Sequence, residues 1–125
     1  MTIVIDTSAL LALVKGEPGG DKVGYRLAEG VVSAVIFAEC LSKLALQGYD
    51  WRTVRADLLA AGLTVAPVGA GDTLTVVTLH ALARGSISLA DRFCLALAMD
   101  RGLPVLTADR PWARLNLPVT IELVR

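Results

Sequence analysis

Four carboxylates, Asp6, Glu39, Asp91 and Asp109, each stand at or just beyond the start of an element in otherwise apolar sequence. Asp6 closes Thr2-Ile3-Val4-Ile5, and Glu39 interrupts the run from Val31 to Ala38. Asp91 follows Ile87-Ser88-Leu89-Ala90, and Asp109 follows Pro104-Val105-Leu106-Thr107-Ala108. Carboxylates are costly to bury unless paired, hydrogen-bonded or bound to a cation. If the fold gathers these four, the natural occupant of the gap is a divalent metal with oxygen ligands, and the chemistry is metal-dependent hydrolysis.

Each acid also has a plain structural reading. Asp6 before Thr7-Ser8-Ala9 fits a helix N-cap. Ser88-Leu89-Ala90-Asp91 has the spacing of a capping box, and Asp109 before Arg110-Pro111 suits the cap of a short helix. Glu39 differs. It falls in mid-helix among Phe37, Ala38, Cys40 and Leu41, where no cap accounts for it, and its only local partner is Lys43 at i+4. The set of four is more specific than any member.

The remaining chemistry-bearing residues read more simply. His80 is the only histidine, and no Cys/His spacing suggests zinc; lying among aliphatics without a triad or ligand partner, it reads as a structural or surface residue. Cys40 and Cys94 lie in apolar helical patterns and read as reduced thiols acting as small hydrophobes. Trp51 and Trp112 read as packing anchors, because no basic residues interleave around them. Lys15, Arg92 and Arg110 are the candidate phosphate contacts; Arg92 and Arg110 adjoin site acids, which equally suits structural ion pairs.

The elements that must position these groups alternate strand and helix. Residues 2–6 read as a buried strand and 7–15 as a helix ended by Gly16 and Pro18. A weak helix follows over 21–29, then a strand at 31–33 and a helix over 34–47 stopped at Gly48. Asp50 caps a helix over 51–61, and 63–67 is a short strand. Helices are predicted over 72–84 and, opened by Ser88, over 89–101, closed by Gly102. Strands at 104–107 and 119–123 flank a helical turn at 111–114. Uniformly apolar strands between helices imply a three-layer α/β/α fold with a central, mainly parallel sheet. Right-handed crossovers then bring every strand's C-terminal end to one edge, where such folds bind ligands.

The 125-residue length suggests a single domain over 1–125, and 54% hydrophobic against 5% aromatic content suggests an aliphatic core. Net charge is zero, so any nucleic-acid surface must be local. The longest charge-free stretch, Leu58 to Gly71, is too short to span a bilayer, and no basic segment precedes the first apolar run. A cytoplasmic protein without membrane association is the expectation.

Four segments together resemble the PIN-domain ribonucleases, specifically the VapC-type toxins of VapBC toxin–antitoxin pairs. They are Ile3-Val4-Ile5-Asp6-Thr7-Ser8-Ala9-Leu10-Leu11, Ser33-Ala34-Val35-Ile36-Phe37-Ala38-Glu39, Ser88 through Ala98, and Gly102-Leu103-Pro104-Val105-Leu106-Thr107-Ala108-Asp109. The resemblance covers essentially the whole chain. It implies a PIN-like fold and a Mg²⁺ or Mn²⁺ site on Asp6, Glu39 and Asp91, with Asp109 as a more variable fourth acid. A supporting hydroxyl maps to Ser8 or Thr107. It further implies endonucleolytic RNA cleavage leaving 5′-phosphate and 3′-hydroxyl ends, a VapB-type antitoxin as partner, and a homodimer. Many relatives carry a polar residue, often Asn, where this chain has Ile36, which puts contacts from that helix in question.

Three other classes fit parts of the pattern. A receiver-type phosphoacceptor domain would carry a second acid beside Asp6, and an aspartate-nucleophile phosphatase would have an acid where Ser8 stands. The third is a catalytically silent binding module on the same fold, against which four intact acids argue.

Overall fold

Ile3–Ile5 is uniformly apolar and fully buried, and it becomes the central strand β1. The computed structural model describes residues 1–125. After β1 come α1 (Thr7–Lys15), α2 (Gly20–Arg26), a 3-10 turn at Leu27–Glu29, β2 (Gly30–Ser33), α3 (Ala34–Leu46) and α4 (Trp51–Ala60). The second half is β3 (Thr64–Ala66), α5 (Asp72–Leu82), α6 (Leu89–Arg101), β4 (Val105–Thr107), a 3-10 turn at Arg110–Arg114 and β5 (Ile121–Leu123). Helices α1 and α6 match their predicted spans, because both have strong end signals. Gly16 and Gly102 take left-handed φ values of 68° and 64°, a conformation that costs glycine little, and close the two helices. The weak helix predicted over 21–29 resolves into α2 and the tighter turn behind it.

The five strands form one sheet in the order β3-β2-β1-β4-β5, and every pairing is parallel. Antiparallel edges, which "mainly parallel" left open, do not occur. The chain builds outward from β1 through β2 to β3, then returns to the other side of β1 for β4 and β5. The direction of winding therefore reverses between β1 and β4. In an open α/β sheet the crevice beyond the strand ends at that point is where ligands bind.

Thirty buried residues form one contiguous core, dominated by Ile, Leu and Val from the strands and the inner helix faces. Cys40 and Cys94 are free and fully buried within it, and Trp112 is 2% exposed. Burial pushes the Cys40 thiol up to about 12, so it behaves as the small hydrophobe expected. Trp51 sits nearer the surface, with the Arg52 guanidinium stacked 4.5 Å from its ring centroid. No helix is long and apolar enough to cross a membrane.

Candidate functional site

The register of β1 on β4 pairs Val4 with Val105 and Ile5 with Leu106, so the next residues along, Asp6 and Thr107, meet at the strand ends. Asp6 occupies the N-cap position of α1, yet its side chain makes no capping bond. Its Oδ2 instead accepts hydrogen bonds from Ser8 Oγ at 2.7 Å and Thr107 Oγ1 at 2.8 Å. The two hydroxyls lie 3.1 Å apart, and Ser8 Oγ also accepts from the Ala108 amide at 2.9 Å. Both hydroxyls proposed from the sequence thus serve the same carboxylate oxygen.

Asp6 is only 3% exposed and has no cationic partner. Burial raises its pKa to about 6; the Ser8 and Thr107 hydrogen bonds act the other way, and the charge of Asp91 adds to the rise. Mutual repulsion among the acids is therefore the lesser effect. Desolvation dominates because the carboxylate lies at the floor of the crevice.

Glu39 and Asp91 approach from the helices. Ser33 caps α3 by accepting from the Val35 amide at 3.3 Å, and Glu39 follows in the second turn beside the buried stripe of Ile36, Cys40 and Leu44. Glu39 Oε1 accepts a 2.6 Å hydrogen bond from Thr7 Oγ1 and lies 4.0 Å from Lys43 Nζ. The local Lys43 pair is real but secondary. Thr7 has no signal in the linear sequence, because its partner is 32 residues away.

Asp91 realises the capping box. Its amide donates to Ser88 Oγ at 3.1 Å, and its Oδ2 accepts from the Ser88 amide at 3.4 Å. Partial burial still raises its pKa, assisted by the charges of Glu39 and Asp109. Asp109 makes no side-chain cap; its amide donates to Thr107 Oγ1 at 3.0 Å. Cys94, three residues after Asp91 in α6, is fully buried. Burial raises its pKa first, and the charges of Asp6, Asp91 and Glu39 all add to the effect.

Oxygen donors only, one of them a buried and unneutralised carboxylate, suit a hard divalent cation. Each of Asp6, Glu39 and Asp91 places its protein hydrogen bonds on a single oxygen, Oδ2, Oε1 and Oδ2 respectively. In these side-chain conformations, however, no three acids stand close enough to hold one ion. The donor chemistry fits, and Asp91 is at the same time engaged in its helix cap.

The basic residues separate. Arg92 turns away from the acids: its Nη1 donates to the Val76 carbonyl of α5 at 3.2 Å, and its Nε is buried without a partner. Lys15 lies at the far end of α1 from the rim, about 12 Å along the helix axis, and pairs with Glu17 at 3.8 Å. The phosphate contact expected of it is corrected: a nine-residue helix that starts at the crevice carries its last turn away from it. Arg110 is exposed beside Asp109 and makes no ion pair. A cleft of about 370 Å³ runs along this edge, lined by Asp91, Asp109, Trp112 and Arg114. Arg114 was not singled out from the sequence, since only the 3-10 turn brings it back toward Asp109. Ile36 is fully buried in the core and contributes no surface to the cleft, so the question raised by its apolar character concerns packing.

Comparison with known proteins agrees with this architecture. The sequence profile of the PIN domain matches residues 3–117. Among solved structures, DNA-bound VapBC from Salmonella typhimurium contains a chain that superposes with a TM-score of 0.76 at 16% identity, covering 100% of this chain and 99% of that one. VapBC-1 from nontypeable Haemophilus influenzae gives 0.74 at 19% identity over 99% and 98%. VapC20 from Mycobacterium tuberculosis, a Sarcin-Ricin loop cleaving toxin, gives 0.71 at 17% identity over 95% and 99%. At such identities the likeness is one of fold. A search of the curated proteins by sequence returned no match.

Proposed function

The chain belongs to the PIN-domain family, and on that premise we propose that it is a metal-dependent endoribonuclease serving as the toxin of a type II toxin–antitoxin pair. The observation that carries this reading is Asp6, a carboxylate 3% exposed, without a cation of its own, at the point where the sheet reverses its winding. A buried charge in that position is retained at a cost to stability, and a bound cation offsets that cost.

Asp6, Glu39, Asp91 and Asp109 would hold Mg²⁺ or Mn²⁺. When bound, the cation polarises the scissile phosphate and lowers the pKa of a water for in-line attack. Ser8 and Thr107 hold the Asp6 carboxylate by Oδ2 so that it need not reorganise on binding. Arg114 on the cleft wall and exposed Arg110 next to Asp109 supply positive charge for the RNA backbone, and the expected products carry 5′-phosphate and 3′-hydroxyl ends. We place the whole of residues 1–125 in this one PIN domain, acting in the cytoplasm. A VapB-type antitoxin is the proposed protein partner. Exposed Leu74, Val77, Leu82 and Leu89 supply apolar surface for the proposed homodimer.

A second reading, a catalytically silent binding module, is favoured by the engagement of Asp91 in its cap and the absence of three converging acids. RNA cleavage by the partner-free protein in Mg²⁺, Mn²⁺ and EDTA separates the two, with Asp6→Asn and Asp91→Asn as controls. Metal-dependent cleavage lost in both variants supports the nuclease. No cleavage of structured RNAs, and no metal-induced rise in melting temperature, leaves the binding module.

A further inference from the structure

Two groups compete for one oxygen of Glu39. Thr7 Oγ1 donates to Oε1 at 2.6 Å, and Lys43 Nζ stands 4.0 Å from the same atom. The first distance is that of a strong hydroxyl–carboxylate hydrogen bond, whereas the second is too long for a hydrogen bond at all. The environments differ as well. Thr7 is 4% exposed in the first turn of α1, while the Lys43 side chain is 53% exposed and has water to compete for it. The buried hydroxyl wins in geometry and in dielectric.

Thr7 also adjoins Asp6 in sequence, and its amide helps to stabilise the Asp6 carboxylate. Thr7 thus stands next to one of the four acids in sequence and hydrogen-bonds a second through its hydroxyl. Glu39 Oε2 is left without a protein donor. If the hydroxyl were lost, the nearest remaining partner for Glu39 would be the ammonium of Lys43, one turn further along α3 and more exposed to solvent.

We propose that Thr7 is a positioning residue, whose hydroxyl fixes Glu39 through Oε1 in competition with Lys43 and leaves Oε2 free for a cation. This rests on the reading of Glu39 as a cation ligand and adds the device that selects its orientation. Ligand carboxylates held by outer partners commonly lose about 10- to 100-fold in metal affinity or activity when the partner is removed.

The test uses the full chain, Mn²⁺ as the probe, and two readouts: the Mn²⁺ dissociation constant and the rate of RNA cleavage at saturating Mn²⁺. Thr7→Val keeps the shape and removes the hydroxyl. It is expected to weaken Mn²⁺ binding roughly tenfold, with Thr7→Ser restoring most of the loss. Adding Lys43→Met to Thr7→Val is expected to recover part of the affinity, since the competing ammonium is then gone. A packing role alone would give no rescue by Lys43→Met. Thr7→Val with wild-type Mn²⁺ affinity overturns the proposal while leaving the nuclease reading intact. Wild-type protein that neither binds Mn²⁺ nor cleaves RNA overturns the nuclease reading itself, and Thr7 with it.

Discussion

Thr107 Oγ1 donates to Asp6 Oδ2 at 2.8 Å, joining the ends of β4 and β1 across 101 residues of sequence. The bond lies where the sheet reverses its winding, and the most buried acid of the site depends on it. Donation from two hydroxyls lets the carboxylate ionise at a position where burial opposes ionisation.

Asp6 should make the stability of the metal-free protein depend on pH. Its folded pKa, about 6, lies above the ordinary 3.8. The folded state therefore binds the proton more tightly than the unfolded chain. The stabilisation this confers is fully present below pH 3.8 and is lost as pH rises through about 6. The difference amounts to about 3 kcal/mol at neutral pH. Asp6→Asn should thus be more stable than wild type at pH 7.5 in EDTA, with the gap closing toward pH 4. Urea unfolding of both proteins across that range checks it; parallel curves would contradict the assignment.

Removing the α6 cap should loosen Asp91. Ser88→Ala deletes the acceptor for the Asp91 amide and should cost about 1 kcal/mol. The denaturation midpoint is the measurement. An unchanged midpoint would mean that solvent replaces the hydroxyl without loss.

Gly20, at the start of α2, lies against the backbone of α1. A Cβ there would collide with the Ala12 carbonyl oxygen, which is backbone and does not yield easily. Gly20→Ala should destabilise the fold by roughly 1–3 kcal/mol. Because α1 carries Thr7 and Ser8 at its other end, cation affinity should fall less than stability does. Thermal melts and Mn²⁺ titration of the same sample compare the two effects.

The position of a basic residue should matter more than the number of basic residues. Arg114→Ala should raise KM for RNA roughly tenfold with little change in kcat, as expected for loss of one charge-assisted contact. Lys15→Ala should leave both constants alone, because Lys15 lies at the far end of α1 beside Glu17. Steady-state kinetics on a single RNA oligonucleotide test the pair. Equal effects from the two substitutions would show that only the overall charge counts.

The sequence by itself determined the elements and the identity of the acids. Apolar runs, the Ser88-to-Asp91 box and the glycines after Lys15 and Arg101 act over a few residues, so α1 and α6 were legible to their ends. Glu39 stood out because no local rule accounts for an acid at that place in α3. Tertiary structure alone decided which groups meet. Strand register set Asp6 against Thr107, and helix packing brought Thr7 under Glu39, across separations that no local pattern encodes. It also drew Arg92 onto α5 and carried Lys15 away from the rim. Burial depth is likewise a property of the assembled core, which is why desolvation outweighs repulsion at Asp6.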